Sequence, residues 1–255
     1  MTTAKPILMS APMVLALLRE IEAPGTGKTQ TRRIIKPQPE PQYLASENLE
    51  DLDIQDIEVQ KVGDEYIVLP KCPYGKPGDL LYVRETFRLF DHADECGASD
   101  WCNCPKTGTP IYYASAGEQE SKWTPSIHMP RQASRLTLEI TDVRAERLQD
   151  ISEEDAKAEG VFLDEDRPEE HDYEINSWMC PKCAGTRIHD DVCPATLGVI
   201  HDVDCRECET SKQKYRHLWN AINGPESWSR NDWVWVVTFK PHLINVDQFI
   251  KARAA

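Results

Sequence analysis

The sequence predicts a mixed α+β fold around a small β-barrel. Three segments, 80–87, 135–143 and 233–240, have the apolar alternation or apolar runs typical of strands, and short helical segments separate them along the chain. The segment 233–240 (WVWVVTFK) is apolar on both faces, as expected of a strand buried inside a barrel. We therefore expect a compact barrel with two or three short helices beside it.

The first helix is predicted from apolar residues at helical spacing. Ser10 and Pro12 provide a cap and an early proline, the helix should end near 23–25, and the apolar positions are Met13, Val14, Leu17, Leu18 and Ile21. The residues that follow, 27–35, are rich in β-branched side chains and predict a turn entering a strand.

Two further helices are predicted from their boundary residues. Ser152 precedes three acidic residues and Gly160 follows, which indicates a capped helix of about two turns. A helix over 215–222 should end at Asn223-Gly224-Pro225, and 111–114 is predicted to be a short strand.

Length and charge limit the class of protein. The 255 residues carry a net charge of -14 with 40% hydrophobic residues, which suits one folded domain spanning 1–255 with insertions. A chain with this excess of acidic residues is not expected to bind duplex DNA nonspecifically through many lysine and arginine side chains. We also expect no membrane partner and a cytoplasmic location, because no apolar stretch approaches the ~18 residues that a membrane span needs.

One insertion, 40–65, is acidic. Residues 45–65 hold eight acidic residues against the single base Lys61, so we expect a solvated segment leading into a hairpin around 62–64.

A second insertion, 176–210, has the cysteine spacing of a zinc ribbon. Two C-x-x-C pairs lie 21 residues apart, and four thiolates fill a tetrahedral shell with no position left for water, which predicts a structural zinc held by Cys180, Cys183, Cys205 and Cys208. The alternative is four thiols without a metal. Cys193, between the pairs, is expected to be a free buried thiol.

A second group of potential ligands comprises His92, Cys96, Cys102 and Cys104. The C-x-C spacing can bind a metal, but chance clustering in a loop explains it equally well. The sequence leaves both alternatives open.

The segment Gly27-Lys28-Thr29 matches the end of a phosphate-binding loop, but its context does not. The first glycine of that pattern falls on Glu22, and a helix precedes where a strand is required. A nucleotide-hydrolysing function is therefore not favoured.

Four segments occur in a characteristic order: GKTQTRR at 27–33, PGDLLYVRET at 77–86, LQDISEEDAKAEG at 148–160 and a closing Trp-rich strand. In order and spacing they resemble the ASCH-domain family. The segment WTPSIHMPRQASR at 123–135 further resembles the long ASCH proteins of phages and prophages. The resemblance implies a PUA-like β-barrel, a fold often associated with RNA or modified bases.

The resemblance also implies a catalytic set. Some small bacterial ASCH proteins are amidohydrolases that remove the acetyl group from N4-acetylcytidine, and their K-x-x-T motif is matched by Lys28 and Thr31, while Glu159 matches their glutamate. Thr31 would then be the nucleophile, Lys28 its base and Glu159 a proton carrier. Because residues 28 and 31 point to opposite faces of a regular strand, Lys28 should lie in the turn, or a bulge must intervene.

Other polar and aromatic residues are predicted to contact the ligand: Arg32, Arg33, Arg84, Glu85, Trp123, His128 and Arg131. Stacking and charge would hold a base in this way. Structural roles are the alternative, since Arg84 and Glu85 can pair across the barrel and Trp123 can pack.

Three functional hypotheses remain. The first is a protein that binds a nucleobase, nucleoside or local RNA element and hydrolyses an N4-acylated cytidine-type amide. The second is a noncatalytic module for RNA or a modified nucleotide, with few charges and hence a shallow salt dependence. The third is an interaction protein that docks a protein partner through its zinc ribbon.

Overall fold

The structure is a computed structural model that describes most of the chain. The described residues are 4–39, 57–62, 65–96, 102–117, 122–161, 180, 182–183, 188–192 and 198–254. The predicted acidic insertion lies largely outside them, as do Cys193 and the chain before Cys180 in the predicted ribbon.

Five strands form the main sheet, in the order β1-β5-β8-β11-β2. β1 pairs in parallel with β5, whereas β5–β8 and β11–β2 are antiparallel. The strands of this sheet are β1 (Ala4–Leu8), β2 (Gln30–Ile34), β5 (Leu80–Arg84), β8 (Thr137–Arg147) and β11 (Trp233–His242).

Three two-stranded antiparallel hairpins accompany the sheet. They are β3 (Ile57–Val62) with β4 (Glu65–Pro70), β6 (Phe87–Leu89) with β7 (Pro110–Tyr112), and β9 (Ile188–Val192) with β10 (Val199–Asp204). In the first hairpin Val62 pairs with Glu65, which confirms the predicted hairpin at 62–64.

Six α-helices occur in the described chain: α1 (Ala11–Glu22), α2 (His92–Glu95), α3 (Tyr113–Ala116), α4 (Glu153–Ala158), α5 (Ser211–Asn223) and α6 (Val246–Ala254). Their ends follow the expected chemistry. The Ser152 side chain accepts from Asp155 N at the start of α4, and Gly160 beyond its end has φ +90°. Thr210 and Gln213 form a capping box on α5. Ser10 caps α1 by position, without a side-chain hydrogen bond.

The mixed α+β class is confirmed, but the closed barrel is wrong for the described strands. β1 hydrogen-bonds along β5 and β2 along β11, and in the described residues no ladder joins β1 to β2. Closure would need that ladder, so the sheet is open with β1 and β2 as its end strands.

The described chain divides into two compact units, and its organisation as one domain with insertions stays a prediction. The first unit comprises Met1–Thr29, Tyr74–Thr141 and Phe239–Ala255, and the second comprises Gln30–Pro73 and Asp142–Thr238. β8 and β11 contribute residues to each unit.

The second unit has its own apolar core. Strand β11 contributes Val234 and Val236, helix α5 contributes Tyr215, Leu218 and Trp219, and the end of β8 with α4 contributes Leu148, Ile151, Ala156 and Val161. Helix α4 packs against β2 in the same unit. No helix in the described ranges is long and apolar enough to cross a membrane.

Candidate functional site

Strand β2 buries an unusual run of polar side chains. Gln30, Thr31 and Arg32 are 4%, 1% and 4% exposed, and Glu159, just beyond α4, is 5% exposed. All four belong to the second unit. Since buried polar groups cost free energy unless they are paired, their concentration on one strand and the facing helix marks a site built for polar contacts.

Lys28 precedes this strand and belongs to the first unit. It lies in the loop before β2, as predicted, and its side chain is fully buried. Its backbone N–H donates to Ala16 O at 2.9 Å, and Glu20 accepts from Gly27 N at 2.9 Å. Helix α1 therefore positions Lys28 through the loop backbone. Its proximity to Thr31 and Glu159 stays a prediction.

Gly27 is required for this close approach. An added Cβ would lie 2.3 Å from both Ala16 O and Glu20 N on α1. The loop can rest on the helix only because residue 27 has no side chain.

Arg32 joins β2 to β8 and α4. Its Nε donates to Glu146 Oε1 at 3.1 Å, its Nη2 to Asp155 Oδ2 at 3.0 Å, and its Nη1 lies 3.5 Å from Glu159 Oε1. Its Nη1 also donates to Gln30 Oε1. All three nitrogens thus contact protein acceptors, so Arg32 positions the surrounding acids, and its direct contact with a ligand stays a prediction.

The charges of these acids keep Arg32 cationic. Burial lowers the pKa of Arg32, but the charges of Glu159 and Glu146 and the hydrogen bond to Glu146 oppose burial, and the pKa lies above its ordinary value. Burial also raises the pKa of Asp155, yet Arg32 and a hydrogen bond from Gln30 hold that pKa below its ordinary value.

Glu159 lies between a cation and a phenol. Tyr215 on α5 donates its hydroxyl to Glu159 Oε1 at 3.5 Å, the same distance as the contact with Arg32. Burial, followed by the charge of Glu159, raises the pKa of Tyr215 well above its ordinary value, so the phenol stays protonated and remains a donor. Both contacts are at the long end of the hydrogen-bonding range.

Strand alternation divides the polar run of β2 between its two faces. Gln30 and Arg32 share the face that contacts α4, as their bonds to Asp155 show, and Thr31 and Arg33 therefore point to the other face. Because β2 is an end strand of the described sheet, the end of α4 lies beside a sheet edge.

In the first unit, Arg84 and Glu85 have protein partners. Arg84 Nε donates to Met129 O at 2.8 Å, and Arg135 donates to the two oxygens of Glu85 at 2.8 and 2.9 Å. Burial raises the pKa of Glu85, and the hydrogen bond from Arg135 opposes this. Both residues thus have protein partners, and a role of either in ligand binding stays a prediction.

The other three predicted ligand residues contact different neighbours. Trp123 packs edge-on against Tyr113, with ring centroids 5.1 Å apart. Arg131 forms an ion pair with Asp247 at 2.7 Å on the surface. His128 is exposed on a 3-10 turn, Ser126–His128. A shared base-binding role for these residues stays a prediction.

The four ribbon cysteines form a compact buried cluster in the second unit. The Sγ atoms of Cys180 and Cys205 are 3.6 Å apart, those of Cys183 and Cys208 are 3.5 Å apart, and all four lie within 4.8 Å of one another. Zinc–sulfur bonds of about 2.3 Å give a tetrahedral edge of about 3.8 Å. The cluster can therefore hold a metal ion such as zinc.

Sequence reasoning missed several members of these networks: Gln30, Glu146, Asp155, Tyr215 and Arg135. They lie on separate elements, and although Gln30, Asp155 and Arg135 fall within the motifs quoted above, their sequence positions do not reveal their contacts. The acidic first turn of α4 was noticed as a helix signal, but the ion pair of Asp155 with Arg32 is a tertiary contact.

No family model matches this chain, and no curated protein or solved structure matches it either. The candidate site therefore rests on the residues and distances given above.

Proposed function

We propose that this is an ASCH-type protein of PUA-like ancestry that binds a nucleobase or nucleoside at the edge of β2, beside the end of α4. The observation that supports the proposal best is the burial of Gln30, Thr31 and Arg32 on one strand together with Glu159. A concentration of buried polar side chains of this kind is typical of a site that binds a polar ligand.

Glu159 suits an exocyclic amine. A carboxylate accepts a hydrogen bond from the N4–H of cytosine, and one such hydrogen remains in an N4-acylated cytosine. Arg32 and Tyr215 hold Oε1 of this carboxylate from two sides. The carboxylate is thus oriented before the ligand arrives, which lowers the entropic cost of binding.

The local charge favours a neutral ligand over a polyanion. Among the ion-paired side chains, Arg32 and Arg144 supply two positive charges and Glu146, Asp155 and Glu159 supply three negative ones, so this network has no excess of positive charge. The whole chain carries -14. A nucleoside without phosphate suits this field, and an RNA would have to bind through an unpaired base.

Amide hydrolysis is the second candidate, favoured by the burial of Lys28 and Thr31 at 0% and 1% exposure. Buried lysines are uncommon and are typical of lysines that act as bases. By the resemblance to the ASCH amidohydrolases, Thr31 would be the nucleophile that attacks the acetyl carbon, Lys28 its base, and Glu159 the carrier of the proton that the leaving amine takes. Water would then release acetate from the threonine ester.

A structural zinc at Cys180, Cys183, Cys205 and Cys208 belongs to the same proposal. The second pair is followed directly by the Thr210 cap of α5, and α5 carries Tyr215. The ion would therefore fix the start of the helix that contacts Glu159.

Calorimetric titration with cytidine and N4-acetylcytidine tests the binding claim, and chromatography of the products tests hydrolysis. We expect saturable binding that weakens at least tenfold in Glu159→Gln. The matched control is Glu154→Gln, an exposed glutamate on α4, which should bind as the wild type does.

The outcomes separate the two candidates. Cytidine formed by the wild type and lost in Lys28→Ala and Thr31→Val would support hydrolysis. Tight binding of N4-acetylcytidine without formation of cytidine would support a noncatalytic binding module. An absence of nucleoside binding by folded protein would refute the proposal.

A further inference from the structure

A second cluster of metal-ligating side chains lies in the first unit, at the end of the β6–β7 hairpin. The ligand atoms of His92, Cys96 and Cys102 all lie within 4.8 Å of one another. His92 Nε2 is 2.9 Å from Cys102 Sγ, and Cys104 Sγ is 3.5 Å from Cys96 Sγ. We infer that these four residues bind a second zinc ion with three sulfur ligands and one nitrogen ligand.

The local structure presents the ligands in pairs. His92 begins α2 and Cys96 caps its end, so the two side chains are four residues apart and share a helix face. Asp91 holds this turn in place, because its side chain accepts from Ala93 N at 3.0 Å. The C-x-C spacing of Cys102 and Cys104 brings a second pair of ligands from the returning arm of the same loop.

The hairpin keeps the two arms together. Phe90 N donates to Thr109 O at 2.9 Å, and Gly108 N donates to Phe90 O at 2.8 Å. His92 N donates to Thr107 Oγ1 at 3.2 Å. Backbone and side-chain bonds therefore bring residues that are ten or more positions apart to the same point, independently of any contact between the sulfurs.

Two of the ligand pairs have distances close to those of a zinc site. Bonds of about 2.0 Å to nitrogen and 2.3 Å to sulfur give tetrahedral edges of about 3.5 to 3.8 Å. The Cys96–Cys104 distance of 3.5 Å falls in this range, and the His92–Cys102 distance of 2.9 Å must lengthen by about half an ångström. Cys104 is exposed and Cys102 half-buried, so these side chains have room to move.

The site would stiffen one loop, and that effect can be measured. The loop contains Lys106, an exposed residue that trypsin recognises. Zinc bound by His92, Cys96, Cys102 and Cys104 would tie down both sides of the loop and slow cleavage after Lys106. The inference does not depend on the nucleoside proposal, since the ligands lie in a different unit.

Elemental analysis of protein prepared with zinc and a reducing agent tests the inference. We expect two zinc ions per chain in the wild type and one in Cys102→Ser. The control Cys72→Ser, a cysteine outside both clusters, should keep two. One zinc in the wild type, or two in Cys102→Ser, would overturn the second site.

A measurement on the wild type avoids any folding defect of the variant. In the zinc-loaded protein, Cys96, Cys102 and Cys104 should resist alkylation, and chelation should expose them to the reagent and speed cleavage after Lys106 at least tenfold. Immediate alkylation of Cys104 in the zinc-loaded protein, or a disulfide in this cluster without a second zinc, would show that the cluster is not a metal site.

Discussion

Arg32 Nη1 lies 3.5 Å from Glu159 Oε1, within a group of side chains that also joins β2 to Glu146 and Asp155. The guanidinium side chain is fully buried and the Glu159 side chain is 3% exposed. One cation thus fixes the position of the carboxylate that we propose to contact the ligand.

Removal of this cation should be costly. Arg32→Gln leaves buried carboxylates without their partner, and we expect a loss of about 3 kcal/mol in the free energy of unfolding. Arg144, 35% exposed, also contacts Asp155 and Glu146, and Arg144→Gln should cost about 1 kcal/mol or less. Urea denaturation of both variants measures the difference. Equal losses would contradict the central role of Arg32.

The same network predicts a loss of stability in acid. The pKa of Asp155 is lower in the folded protein than its ordinary value, so its contribution is present above the unfolded pKa of about 3.9 and is lost as pH falls through the folded value. Asp155→Asn should flatten the decline of unfolding free energy below about pH 4. If the unfolding free energy of Asp155→Asn fell in acid as steeply as that of the wild type, the contribution of Asp155 to the acid dependence would be contradicted.

The Glu85–Arg135 pair predicts the opposite dependence of the unfolding free energy on pH. Burial raises the pKa of Glu85, so keeping this carboxyl ionised destabilises the fold, and protonation relieves the cost as pH falls. Arg135→Met should destabilise by about 3 kcal/mol at neutral pH, more than Glu85→Gln, because it leaves a buried charge unpaired. The loss should shrink on acidification. Thermal unfolding at neutral and acidic pH measures this, and a loss independent of pH would contradict it.

Gly27 tests how α1 positions Lys28. Gly27→Ala places a Cβ 2.3 Å from backbone atoms of α1, and overpacking of this kind should cost about 3 kcal/mol. At Gly25, with φ +88° and open space around it, alanine should cost about 1 kcal/mol from backbone strain alone. Chemical denaturation compares the two variants. A smaller loss of unfolding free energy in Gly27→Ala than in Gly25→Ala would contradict the close approach of Gly27 to α1.

Zinc removal should weaken ligand binding at a distance. Replacing Cys180 and Cys183 by serine removes half of the cluster that precedes α5, and we expect the start of α5 to loosen around Tyr215. Hydrogen exchange of α5 and the nucleoside titration should change together. Lost zinc with unchanged exchange in α5 would separate the metal from the site.

The sequence predicted the local features well and the tertiary ones less well. The caps at Ser10, Ser152 and Gly160 depend on neighbouring residues, so α1 and α4 were placed within a few residues. The order of strands depends on contacts far apart in the chain, and the barrel was predicted where the described strands form an open sheet.

The candidate site shows the same division. Paired C-x-x-C spacing is a local signal, and the four cysteines do meet. Arg32 was assigned to the ligand because it is a cation in a motif, whereas its partners Glu146 and Asp155 are more than 100 positions away. The positive charge of Arg32 does not reveal that the carboxylates of Glu146 and Asp155 accept hydrogen bonds from its guanidinium group.

The most direct test of the account is a calorimetric titration of N4-acetylcytidine into wild-type protein and into Glu159→Gln, with Glu154→Gln as the control. The account predicts one saturable site in the wild type and in the control, and at least a tenfold weaker site in Glu159→Gln. Equal affinity in all three folded proteins, or no binding by any of them, would contradict it.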